Sequence, residues 1–155
     1  MIRALPLTLL AACPGPPECE AGAPTAALGT GDVDFVPIAE GDTIPLYYGA
    51  QGGVHVYGSV RVTGLAIRAN MALNNPDTPK VTFQVRDGDG DVIGGYAQLP
   101  RQFRRDGDAW SLVGEQLILD LEEPSAGMPL TLDFSATDAC EANAAASIGL
   151  MLGEP

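Results

Sequence analysis

The run VHVYGSVRVT, Val54 to Thr63, alternates apolar and polar residues, and the chain returns to that two-residue period again and again. Successive side chains of an extended chain point to opposite faces, so Val54, Val56, Val60 and Val62 share one side. His55, Tyr57, Ser59, Arg61 and Thr63 share the other, which is either wet or covered. KVTFQVRD places Val81, Phe83 and Val85 inward in the same way, and LTLDFSAT, Leu130 to Thr137, repeats the pattern. The runs are short and are parted by turn-forming clusters such as AEGD, NNPDTP, DGDGD, EEPSAGMP and DACEAN, and no helical apolar period of useful length appears. The expectation is an all-β chain. About eight antiparallel strands at this spacing suit an immunoglobulin-like two-sheet β-sandwich spanning 32–155, with a jelly roll as the rival. Pro37 and Pro45 cannot donate to a ladder and place their strands at a sheet border.

The opening MIRALPLTLLAAC has one basic residue, Arg3, then an apolar run from Ala4 to Ala12 that stops at Cys13. It reads as a secretory signal and is far too short to span a bilayer. Leu10, Ala11, Ala12 and Cys13 resemble the bacterial lipobox: a branched apolar residue, two small residues, then cysteine. That resemblance implies that 1–12 is a lipoprotein signal peptide, that the Cys13 thiol is lipidated, and that the mature protein is anchored in the bacterial cell envelope, at the outer membrane. A cleaved ordinary signal is the alternative. The following PGPPECEAGAPTAALGTG has the composition of a semi-extended tether over 13–31. With Cys13 taken by lipid, Cys19 and Cys140 remain as an even pair where disulfides persist, and a bond between them would pin part of the tether to the domain. Cys140 falls in the last hairpin connection, so this is not the inter-sheet bridge of antibody domains.

A formal net charge of -12, with Lys80 the only lysine, leaves no basic patch to neutralise phosphates, so nucleic acid is excluded as a partner. Anionic head groups would repel so acidic a surface, so the membrane is held through the lipid on Cys13.

His55 is the only histidine. With no second imidazole, neither a zinc nor a blue-copper site can be assembled, and no metal or other cofactor is expected. The glycines of GAQGG suit a turn between two strands; the competing reading is a recognition spot made of Gln51, His55 and Tyr57 with the tyrosines around them. In DGDGD, Asp87, Asp89 and Asp91 hint at calcium, but an alignment with the EF-hand loop puts Val92 at the glycine position and Gln98 at the glutamate position. Asp-Gly between alternating runs is instead a hairpin signal. The serines lie in no G-x-S-x-G or S-x-x-K context, so no catalytic residue is assigned. Arg101, Phe103, Arg104, Arg105 and Trp110 form an aromatic and basic cluster able to meet an anion or a glycan, or simply to pack its rings inward and solvate its arginines.

The stretch FVPIAEGDTIPLYYGAQGGVHVYGSVRVTGL, Phe35 to Leu65, resembles uncharacterised secreted lipoproteins of myxobacteria-like bacteria, in which a G-x-Q-G-G-x-H segment follows a G-D-x-hydrophobic-P-L run. It implies an envelope setting and transfers no active residue. The resulting expectation is a lipid-anchored, non-catalytic β-sandwich that presents Gln51, His55 and Tyr57 to an envelope protein or glycan. The alternatives are an envelope hydrolase dependent on His55 and a calcium-stabilised domain dependent on Asp89.

Overall fold

The computed structural model describes residues 19, 22–50 and 53–154. Among them the chain is all-β, with eleven strands and no helix. They are β1 (Thr25–Thr30), β2 (Val36–Pro37), β3 (Thr43–Ile44), β4 (Tyr47–Tyr48), β5 (Val54–Thr63), β6 (Lys80–Arg86), β7 (Val92–Pro100), β8 (Arg104–Asp106), β9 (Ala109–Leu119), β10 (Pro129–Thr137) and β11 (Asn143–Leu152). Hydrogen bonds connect them in the order β2-β1-β5-β9-β7-β6-β10-β11-β3, with β4 added to β5 and β8 to β9. The path is open and curled, since β2 and β3 at its two ends do not pair. Pro37 and Pro45 sit at or beside these two end strands, where a missing donor costs no ladder bond.

The count exceeds the expected eight because short strands accompany the long ones. Pro45 splits TIPLYY into β3 and β4, which pair with different partners: β3 runs parallel to β11, and β4 runs antiparallel to β5. The tether also ends earlier than its composition suggests. TAALGT forms β1 and pairs with β5 from Thr25↔Thr63 to Gly29↔Ser59. Alanine and glycine conceal that strand in the sequence, yet Leu28 is buried and Ala26 packs against the core.

The curl places two sets of strands face to face. One contains β1, β5 and β9; the other contains β7, β6, β10 and β11. They are joined in the ladder by a single pair, Gly94↔Leu119, beside which Asp120 N donates to Ile93 O at 2.6 Å. The alternating valines of β5 and the inward residues of β6, Val81, Phe83 and Val85, are buried with Leu117, Leu132 and Phe134 between the two sets. Phe83 and Phe134 meet edge to face at 5.4 Å between centroids. Gly58 is small because it must be: a Cβ there would meet the Phe83 ring at 2.6 Å and Leu117 at 2.9 Å.

Ser59 belongs to the polar side of the β5 alternation but is fully buried. Its hydroxyl donates to Gly31 O at 3.1 Å and accepts from Gly114 N at 3.2 Å, where the β5–β9 register shifts. The outer side of this strand is therefore covered at its middle.

The strands give the domain two poles. Thr63, Lys80, Pro100, Trp110, Thr137 and Asn143 pair near one end. Asp138 joins the two strand sets there, accepting from Ala66 N at 2.6 Å and, through its other oxygen, from Cys140 N and Ala142 N. Cys19 is bonded to Cys140 at this same pole, with Cα atoms 5.6 Å apart. Val54, Leu119, Pro129 and the DGDGD turn lie at the far pole.

Candidate functional site

β4 pairs antiparallel with β5, and between them Gly49 N donates to Gly53 O at 2.7 Å. The β4–β5 pairing beside it builds a surface. Tyr47 pairs with His55, and His55 with Ile118 of β9; one step along, Tyr57 pairs with Gln116. Residues opposite each other or two apart share a sheet face, so Tyr47, His55, Tyr57, Gln116 and Ile118 form one patch near the far pole. The Tyr47 ring stacks on the His55 imidazole at 5.7 Å with 23° between planes, while Tyr57 meets both edge-on, at 4.9 Å from Tyr47 and 5.2 Å from His55. Gln116 Nε2 donates to Tyr57 Oη at 3.3 Å.

Two properties set this patch apart from a sheet face that is merely solvated. His55 Nε2 is enclosed yet has no hydrogen-bond partner, and an unpaired buried polar atom costs about 1–3 kcal/mol. Ile118, directly across from His55, is 66% exposed. Of the residues expected to form a recognition spot, His55 and Tyr57 are brought together; Gln51 lies outside the described residues, as does Cys13. Tyr47, Gln116 and Ile118 complete the patch. The sequence contains a signal for Ile118: Leu117, Ile118 and Leu119 are three apolar residues in a row within a strand, so one of them must face outward.

The other candidates resolve into structure. In the β6–β7 turn, Asp87 Oδ1 accepts from Asp89 N at 3.0 Å and from Asp91 N at 2.9 Å, so this carboxylate serves the turn. Gly90, at φ +90°, takes the left-handed position the turn requires. Among the described residues no group of three or more histidine, cysteine, aspartate or glutamate side chains is placed to hold a metal ion. In the aromatic and basic cluster, Phe103 is buried, Arg105 lies over the Trp110 ring at 5.2 Å, and Arg101 lies over Tyr96 at 4.2 Å. Arg101 Nε and Tyr96 Oη both donate to Glu115 Oε2, at 2.8 and 2.7 Å, and so clamp β9 to the β7 side of the curl. Burial, then the bond to the Glu115 carboxylate, raise the Tyr96 phenol well above its ordinary range, with Arg101 acting in the opposite direction. The Arg101 guanidinium is likewise raised, since Tyr96 and Glu115 outweigh its desolvation.

No protein-family description and no curated protein matches the sequence. Among solved structures the chain is similar to the periplasmic chaperone SfaE, at 14% identity and a TM-score of 0.35, with 83% of this chain and 56% of that chain covered.

Proposed function

We propose that this protein is a lipid-anchored, non-catalytic component of the bacterial cell envelope that binds an envelope protein or glycan through the patch around His55 and Tyr57. The observation that carries the reading is the enclosed, unpartnered Nε2 of His55 beside two tyrosine rings and an exposed isoleucine. A folded chain holds such an arrangement at a cost, which calls for an explanation other than stability, and aromatic rings are enriched in recognition surfaces. The Cys19–Cys140 bond suits an oxidising compartment and thus a secreted chain. The same reading keeps the chain among secreted lipoproteins of the kind its G-x-Q-G-G-x-H segment resembles. It also takes the fold as an immunoglobulin-like two-sheet sandwich, supported by the single ladder pair between the two strand sets and by the segment from β1 to β3, which crosses from one set to the other.

The test is crosslinking in the native cell from Tyr57→Cys, with the intact mass of the membrane-extracted protein establishing whether the chain starts at an acylated Cys13. A discrete adduct that Tyr47→Ala or His55→Ala weakens at least tenfold is expected. If the protein sits correctly in its membrane and yields no adduct, the binding role is refuted.

A further inference from the structure

Charge is separated between the two poles. Lys80, Arg104 and Arg105 are exposed at the disulfide pole and make no ion pair among the described residues; Arg61 there is paired with Asp106, and the exposed acids Asp108 and Glu141 offset part of the remaining positive charge. The far pole carries Asp87, Asp89 and Asp91 in one turn and Asp120, Glu122 and Glu123 in the β9–β10 connection. Of the described basic residues, only Arg86 lies toward the far pole, and Asp133 neutralises it at 2.8 Å. A chain with a net charge of -12 thus keeps most of its unbalanced acidic charge away from the end where the disulfide captures the tether.

We infer that the domain stands on this pole, with Arg104 and Arg105 against the anionic lipid head groups of its own anchoring membrane and the His55–Tyr57 patch raised away from it. The inference rests on lipidation of Cys13, as proposed above. Two independent features impose the orientation. The six steps from Cys13 to Cys19 span at most about 22 Å, so the bridge keeps the Cys140 pole close to the lipid; without it the next placed residue is Gly22, packed against Gly64, about 32 Å of chain away. The surface potential of an anionic leaflet then repels the strongly acidic far pole more than the arginine-bearing end, where cations and acids largely offset one another. His55 lies eight residues along β5 from Thr63, which raises it about 27 Å above the disulfide pole. A partner embedded in the same bilayer would be out of reach at that height, whereas one on the facing side would meet the patch directly.

The orientation is tested with lipidated protein, purified from membranes and placed in vesicles containing phosphatidylglycerol and an acceptor-labelled lipid. Donor dye goes on Asn74→Cys, in the β5–β6 loop of the disulfide pole, or on Ser125→Cys, in the β9–β10 connection of the far pole. Energy transfer severalfold stronger from position 74 is expected. Arg104→Glu with Arg105→Glu should shrink that difference on anionic vesicles and leave it unchanged on neutral phosphatidylcholine vesicles. Equal or inverted transfer in the vesicle-bound wild type overturns the orientation while leaving the anchor intact. Protein that does not sediment with vesicles and lacks an acylated mass overturns the anchor and the orientation with it.

Discussion

Replacing Ser59 with alanine should be among the most damaging single-atom changes available in this domain. The hydroxyl is fully buried and holds two backbone groups at once, the carbonyl of Gly31 and the amide of Gly114. Its removal forfeits two hydrogen bonds and leaves two part-buried backbone groups without that partner. A bond of this kind contributes about 1 kcal/mol net, and an orphaned group costs about 1–3 kcal/mol, so Ser59→Ala should lose about 2–3 kcal/mol. With a slope of about 1.5–2 kcal/mol per molar urea for a domain of this size, the unfolding midpoint should fall by roughly 1.5 M, at an unchanged slope. Ser147→Ala, exposed on β11, is the control and should stay within about 0.5 kcal/mol of wild type. Gly114→Ala strikes the same junction from the other strand: its φ of +76° is unfavourable for alanine, and the new Cβ would meet Asp32 O. It should cost clearly more than Gly90→Ala, which also has a positive φ but open space around it. If Ser59→Ala unfolds within about 0.5 kcal/mol of wild type, the covered middle of β5 does not hold the β1 and β9 sides together as argued.

Reduction of Cys19–Cys140, or Cys140→Ser, releases a constraint across a sequence separation of 121, for which loop-closure entropy sets a ceiling of about 5 kcal/mol; urea unfolding with and without reductant measures it, and a loss under about 1 kcal/mol would show that the bridge restrains little. His55→Phe removes the orphaned Nε2 while keeping a ring between Tyr47 and Tyr57, so stability should hold or rise by up to about 1 kcal/mol while the Tyr57→Cys adduct is lost; marked destabilisation would mean that the imidazole has a structural partner. Tyr96 keeps its proton in the folded protein at pH values where the unfolded chain gives it up. Its contribution is therefore complete below about pH 10 and declines as pH rises beyond that. Urea midpoints at pH 8 and pH 11 should accordingly diverge in wild type and diverge less in Tyr96→Phe.

Alternation carried most of the long strands, because β5, β6 and β10 each bury one face against a shared core and expose the other. Where one face is not simply wet, the pattern loses its meaning. Ser59 reads as a surface residue because no local signal shows that the chain near Gly31 crosses over it. β1 escaped notice because alanine and glycine carry little periodicity, although pairing with β5 extends it. The candidate site was half visible: the spacing of His55 and Tyr57 on one strand places them together, but Ile118 and Gln116 arrive from β9 through a register that only the folded sheet sets. The aromatic and basic cluster divides into two, a clamp through Arg101 and a pair of exposed cations, Arg104 and Arg105, the second lying over Trp110.

The Cys19–Cys140 bond closes a covalent ring that contains β1 through β10 and, of the described strands, leaves only β11 outside it. Yet β11 is the strand that β3 needs, through Met151↔Thr43 and Leu152↔Ile44, more than a hundred positions away. An early segment of the chain thus waits for a late one, and such non-local pairing is slow because loop-closure entropy precedes its reward. During refolding, amides around Asp42 to Ile44 and Gly153 should gain protection together with β11 and after the β5–β9 ladder, so that the crossing segment, synthesised well before β11, settles only with it.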